Sequence, residues 1–390
     1  MTNEFTARLK AVDRITLTPL VRNALENDAA DVVDWNYQPI HGGFAQEMGH
    51  SYGIYRFKGN ARAQGQTVTW SLILKAMGGS SDVGSNDPSN WRYWKREVLA
   101  YQSGLLDDLP GSLVAPRCFG VVEYPGEEFW VWLEDISDES GSVWPLERYG
   151  LAARHLGQFN GAYCMGQPVP ETPWLSKGRI RDWLNEGEPA IRDLHRLSEH
   201  PIARRWLTDE TVGRIHRLWS KREMFLEALD RLPRCLCHHD AFRRNLMSRR
   251  KIDGSDVTVA IDWALVGTGF LGEEIATLVT VSLQFFDVDI TEAKTLEAIA
   301  IEGYLAGLQD VGWRGDAHIT RFGFTAAASL FMGVGAVGMW LPILLEEETS
   351  RSVEKVFGHP LESILARFAA LQDYLLDLGD EARELINVSE

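Results

Sequence analysis

The strongest constraint on the fold is a change of texture near residue 136. Before it, apolar and polar residues alternate over short runs, whereas after it apolar residues recur at helical spacing. In 67–77, Val68, Trp70, Leu72 and Leu74 fall on one face of an extended strand, and Lys75 falls on the other with Thr69, Ser71 and Ile73. Segments 52–57, 114–122 and 128–135 read as further strands, and residues 1–35 read as peripheral helix. The last strand runs Val131, Trp132, Leu133, Glu134, Asp135, Ile136, and the chain then turns polar through Ser142. Such a switch marks a hinge or domain boundary. Beyond it, 146–163, 180–197, 203–231, 273–286, 291–311, 318–345 and 353–378 read as helices around a short β-containing insertion at 235–262. The expected class is α+β and bilobal, with a small β-rich N-terminal lobe over 1–135 and a larger, mainly helical C-terminal lobe over 136–390.

With 390 residues, 45% of them apolar, the chain has ample material for two cores. Its 39 basic and 55 acidic residues give a net charge of −16, which opposes a nucleic-acid partner and suits a soluble cytoplasmic protein or a cationic ligand. Four cysteines in so long a chain do not form a disulfide framework. Cys235 and Cys237 stand beside His238 and His239, but no second cysteine pair completes a zinc finger, so they read as buried strand cysteines. Residues 1–14 are polar and charged and lack the apolar centre of an export signal. The run 322–345 has no charged residue and is long enough to cross a bilayer. It is also rich in small residues and carries Pro342, so the expectation is a buried helix rather than a membrane partner.

The residues with chemistry are concentrated in the insertion. Asp240 is followed five residues later by Asn245, and a second β-type run ends on Asp262. A short hairpin would bring these three oxygen-bearing side chains together, an arrangement suited to metal and phosphate. Upstream, Gly42 and Gly43 lie in a loop between two strands, where glycine lets backbone amides approach a phosphate, although hairpins need glycine in any case. Lys75 follows that loop, and Glu97 lies on an expected helix over 91–106. A strand lysine held by a helix-borne glutamate is how kinases meet nucleotide phosphates.

Taken in order, Gly42 and Gly43, Lys75, Glu97, His238-His239-Asp240 with Asn245, and Ile261-Asp262-Trp263 resemble the aminoglycoside phosphotransferase and choline kinase family. The resemblance implies a protein-kinase-like fold and an enzyme that moves the γ-phosphoryl group of ATP, or of GTP, to a hydroxyl of a small molecule. It implies Asp240 as the catalytic base, Asn245 and Asp262 as Mg2+ ligands, and Lys75 on the α- and β-phosphates with Glu97 orienting it. It also implies that adenine bonds to backbone near Glu134, Asp135 and Ile136. His238 reads as a brace for the loop, and Arg243 and Arg244 read as paired or solvated arginines.

Two features depart from the family pattern. The loop after Gly43 is long, with Gln46, Glu47, Met48 and Gly49 before the next strand, and Glu274-Ile275-Ala276 replaces the usual Asp-Leu-Ala, so Glu274 reads as structural. Gly333-Val334-Gly335-Ala336-Val337-Gly338 matches a dinucleotide fingerprint by letter, but it lies inside the uncharged run without a preceding strand, which suits close helix contacts instead. Asp182, Glu186 and Glu188 offer an acidic lining for an amino-sugar acceptor or are ordinary helix charges. The alternative function is a non-catalytic nucleotide-binding or regulatory protein with the same fold; the intact Asp240, Asn245 and Asp262 oppose it.

Overall fold

The computed structural model describes residues 3–40, 51–78 and 83–388. Gly42, Gly43 and the long loop after them lie outside the described residues. The chain forms two compact units, residues 1–108 with 114–137, and residues 109–113 with 138–390.

The first unit is built on a five-stranded antiparallel sheet. Its strands are β1 (Asp31–Ile40), β2 (Ser51–Ala63), β3 (Gln66–Gly78), β4 (Cys118–Tyr124) and β5 (Glu128–Glu134), in spatial order 1-2-3-5-4. Gln64 and Gly65 close the β2–β3 hairpin, both at positive φ, as a two-residue turn between right-twisted strands requires. The alternation read in 67–77 is real, since Trp70, Leu72 and Leu74 are buried. They pack with Phe57, Trp130 and Trp132 and with Phe5, Leu17 and Val21 of α1 (Asn3–Lys10) and α2 (Arg14–Ala24). Asp13 caps α2 by accepting the Thr16 amide proton at 2.9 Å.

Three local expectations need correction. Residues 31–35 belong to β1 rather than to a helix, in keeping with the extended preference of Val32, Val33 and Trp35. The helix expected over 91–106 is only α3 (Arg96–Gln102), because Asn90 accepts the Arg92 amide and holds the approach as a turn, and Gly104 at φ 74° ends the far side. The strand expected from 114 continues as β4 only from Cys118, beyond Pro116, which has no amide proton for a ladder.

The second unit is mainly helical. Helices α4 (Leu146–Cys164) and α9 (Ala293–Asp310) meet through glycines: a methyl on Gly307 would lie 1.9 Å from the Arg154 carbonyl oxygen, and one on Gly303 would lie 2.1 Å from that of Gly150. This close approach lets Tyr304 donate its hydroxyl proton to Asn160 at 2.8 Å, and Asn160 in turn donates to the Leu236 carbonyl at 2.8 Å. Helix α4 thereby fixes β6 (Arg234–Cys237), which pairs with β9 (Gly267–Phe270). Between them, β7 (Leu246–Arg250) and β8 (Asp256–Ala260) form the anticipated hairpin. The region expected as one helix over 203–231 is divided into α6 (Asp209–Ser220) and α7 (Arg222–Asp230). That expected over 353–378 breaks at Gly358, φ 69°, and Pro360, leaving α11 (Glu347–Phe357) and α12 (Leu361–Val388).

The uncharged run lies in helix α10 (Ala317–Leu345), which widens to π geometry over Ala328–Gly335 and is 72% buried over its most apolar window. It packs against α5 (Arg179–Arg192) and α12. Its glycines serve contact: a methyl on Gly335 would meet Trp183 at 2.2 Å, one on Gly338 would meet Gly187 at 2.6 Å, and Gly333 faces Leu375. Small residues at a close helix crossing account for the fingerprint-like letters, without nucleotide.

Candidate active site

Strand β6 delivers the chain to a tight loop whose backbone is fixed from beneath by one carboxylate. Glu274, in the first turn of the wholly buried helix α8 (Glu273–Gln284), accepts the amide protons of His238 at 2.8 Å and His239 at 2.7 Å. Burial raises the Glu274 carboxyl from its ordinary value, against the lowering effect of His239 and the two amides. Replacing Glu274 with alanine strands two buried amide donors, so the expected cost is about 2–5 kcal/mol of stability, read as a lower denaturant midpoint. An unchanged midpoint would remove Glu274 from the framework of the loop.

The two histidines are positioned differently. His238 accepts the Asp240 amide proton on Nδ1 at 3.1 Å, so Nε2 carries the proton and donates to the Ile261 carbonyl at 3.0 Å. Burial lowers its pKa to about 4, and the ring is a neutral strut between the Asp240 and Asp262 turns. His239 adopts φ 67°, uncommon for a residue with a side chain, and donates from Nδ1 to the Leu265 carbonyl at 3.1 Å. Burial opposes its charge, but the Glu273 carboxylate and Cys237 outweigh that effect and raise its pKa to about 10.

Asp240 and Asn245 are in direct contact. The Asn245 amide nitrogen donates to the Asp240 carboxylate at 2.7 Å and to its carbonyl at 3.0 Å, leaving the Asn245 Oδ1 as a neutral hard oxygen. The β7–β8 hairpin carries Asp262 to the same place, because Leu246 pairs with Ala260 and the Ile261 amide donates to the Asn245 carbonyl at 2.9 Å. Asp262 itself has φ 64°. Non-glycine residues held in this region cluster at functional sites. Burial pushes the Asp240 carboxyl up to about 7; Arg179 and the Asn245 bond oppose the rise, and the Asp262 charge adds to it. An aspartate poised near neutrality is suited to taking up a proton, and an Asn oxygen beside a carboxylate is a donor set for a small hard cation.

Arg179, at the start of α5, was not anticipated from sequence. It is buried, stands over the Phe331 ring at 4.1 Å, donates to Thr277 at 3.3 Å, and supplies the positive charge that faces Asp240, Glu273 and Glu274. Its partners come from α8 and α10, so no local pattern reveals it. Arg243 and Arg244 are committed elsewhere: Arg243 to Asp138 at 2.8 Å and to the Gly141 and Leu246 carbonyls, Arg244 to Asp287 and the Phe285 carbonyl. Glu188 bonds to Arg192 on its own helix.

In the first unit, Lys75 of β3 forms an ion pair with Glu97 in the first turn of α3, and the Glu97 side chain is almost wholly buried. The Glu134 amide donates to the Arg117 carbonyl at 2.9 Å. Just past β5, the Asp135 carboxylate is held by Arg56 at 2.7 and 3.0 Å and by Ser71 at 2.5 Å, so its side chain is committed within the first unit. Ile136 follows, half-buried.

Residues 99–314 match the model of the phosphotransferase enzyme family, a span that contains Asp240, Asn245 and Asp262. No curated protein sequence matches the chain. Among solved structures, it is similar to an aminoglycoside phosphotransferase from Alicyclobacillus acidocaldarius, with 11% identity, a TM-score of 0.50 and coverage of 90% of this chain and 93% of that one. A spectinomycin phosphotransferase is 14% identical, with a TM-score of 0.49 and coverage of 93% and 99%. A choline kinase from Cryptosporidium parvum is 13% identical, with a TM-score of 0.48 and coverage of 91% of each chain. The family match spans more than half of the chain, and on that ground this protein belongs to the phosphotransferase enzyme family.

Proposed function

We propose that the protein transfers the γ-phosphoryl group of ATP to a hydroxyl of a small molecule, with Asp240 as the base that receives the hydroxyl proton. The observation that carries this reading is the Asp240–Asn245 contact with Asp262 at the adjoining turn of one hairpin. Phosphoryl transfer asks little covalent chemistry of a protein; it asks for positioning and neutralisation of charge. Asn245 through Oδ1 and Asp262 through its carboxylate fit Mg2+, which prefers hard oxygen ligands and would neutralise phosphate charge when bound. Asn245 also holds the Asp240 carboxylate in one orientation, and the neutral His238 ties both turns to one backbone. Asp240 accepts the acceptor's proton as the oxygen attacks phosphorus, and ADP leaves.

Lys75, held by Glu97, would meet the α- and β-phosphates, and the backbone at Glu134, Asp135 and Ile136 would receive adenine. Gly42 and Gly43 complete the nucleotide side of this proposal. Lys75→Met is expected to raise KM for ATP by about 10–100-fold, the equivalent of one charged hydrogen bond to phosphate. Steady-state kinetics with ATP varied reads this directly, and unchanged constants would remove Lys75 from the nucleotide site. The acceptor is a small-molecule alcohol of the kind this family phosphorylates, and the net charge of −16 is compatible with a cationic one. Turnover of labelled ATP across a panel of amino sugars, amino alcohols and neutral sugars, with Asp240→Ala as control, tests the proposal.

A further inference from the structure

We propose that Cys237, His239 and Glu273 form a second metal site, for one zinc-class divalent cation, separate from the Asn245 and Asp262 pair. The three side chains are all buried, and one ligand atom from each lies within 4.8 Å of the others. They come from the end of β6, the loop after it and the first turn of α8, so the site would pin three segments that meet next to Asp240.

Four observations support a cation rather than an incidental cluster. First, His239 Nε2 is buried and, among the described residues, closes no well-formed hydrogen bond, its ion-pair contact with Glu273 Oε1 being 3.4 Å long. That separation is close to the ligand-to-ligand edge of a tetrahedral site with zinc bonds of about 2.0–2.2 Å. Second, the other ring nitrogen donates to the Leu265 carbonyl at 3.1 Å. This is the usual partner of a metal-bound histidine, because it fixes the tautomer and points Nε2 at the ion. Third, the three donors converge on the bare face of Gly269, where a methyl would sit 2.5 Å from Glu273 Oε2, 2.6 Å from Cys237 Sγ and 2.8 Å from His239 Nε2, so the cluster requires glycine there. Fourth, His239 holds φ 67° to aim its ring inward, a conformation that carries a cost for a residue with a Cβ.

The donor chemistry selects the ion. A thiolate, an imidazole and a carboxylate together favour zinc over magnesium, which prefers oxygen alone. Coordination takes Cys237 as thiolate, His239 as neutral imidazole and Glu273 as carboxylate. Ion and ligands then carry no net charge, as burial away from water favours. The cysteine spacing is not that of a zinc finger. Here the third ligand comes from Glu273, thirty-four residues beyond His239, a separation no local motif encodes.

The test uses the full-length protein. Metal analysis after incubation with zinc and dialysis into magnesium buffer should find about one zinc per chain. Replacement of zinc by Co2+ should produce the intense near-ultraviolet absorption of a cobalt–thiolate bond, a signal that a site made of Asn245 and Asp262 cannot give. That absorption should persist in Asp262→Asn and be lost in Cys237→Ser, and Glu273→Gln should bind zinc at least about tenfold more weakly, a typical loss for an altered metal site. Absence of both stoichiometric zinc and the thiolate band in the wild-type protein would overturn the proposal without recourse to any variant. Persistence of the band in folded Cys237→Ser would overturn the assignment of the ligand.

Discussion

Replacing Asp240 with alanine is expected to lower kcat by about 10²–10⁴-fold, the usual contribution of a positioned general base, with little change in nucleotide affinity. The reason lies in what surrounds the carboxylate. Asn245 holds one oxygen at 2.7 Å, while burial and the charge of Asp262 make proton uptake favourable near neutrality, against the opposing field of Arg179. The base must be ionised to accept a proton, so activity falls as pH drops through its pKa. In the free enzyme, the acid limb of kcat/KM should lie near or below the value of about 7 that this environment confers. A cation held by Asp262 cancels part of the charge that raises Asp240, so the limb should move to lower pH as Mg2+ rises. Full turnover in Asp240→Ala, or an acid limb unaffected by Mg2+, would remove Asp240 from this role.

Asp262→Asn should be nearly as damaging, for a different reason. Asparagine tolerates the left-handed backbone that Asp262 adopts at φ 64°, so the turn is expected to survive while the negative ligand is lost. Losing a charged metal ligand at a phosphoryl-transfer site removes several kcal/mol of transition-state stabilisation, or about 10²–10⁴ in rate. The distinguishing measurement is calorimetric. Mg2+ should tighten ATP binding to the wild-type protein and leave binding to Asp262→Asn unchanged, whereas Asp240→Ala should retain the Mg2+ effect. Equal Mg2+ dependence in wild type and Asp262→Asn would mean that the ion is held elsewhere.

Those two predictions rest on residues that could be found by spacing. Asp240, Asn245 and Asp262 are close in sequence and joined by one hairpin, so the same short stretch encodes both the oxygen-bearing side chains and the turn that brings them together. The Lys75–Glu97 pair was legible because a strand lysine and a helix glutamate each have a periodic setting. Arg179 and Glu273 were not. Their importance comes from tertiary packing of α5 and α8 against the loop, and neither lies in a pattern that distinguishes it from any helix charge. Helix limits depart from the hydrophobic periodicity where a turn competes with propensity, as at Asn90 before α3 and at Gly358 and Pro360 between α11 and α12. The uncharged run 322–345 could not be assigned from composition alone. What decides it is the opposite surface, where Trp183 and Gly187 fill the space that glycines leave.

The most direct measurement is transfer of the labelled γ-phosphoryl group of ATP to a panel of small-molecule alcohols, run side by side with wild type and Asp240→Ala in the presence of Mg2+. The expected result is label on a hydroxyl of at least one acceptor with the wild-type protein and a near-complete loss with Asp240→Ala, while calorimetry shows both proteins binding ATP. Equal transfer by the two proteins, or ATP binding by the wild type with no transfer to any acceptor, would contradict it.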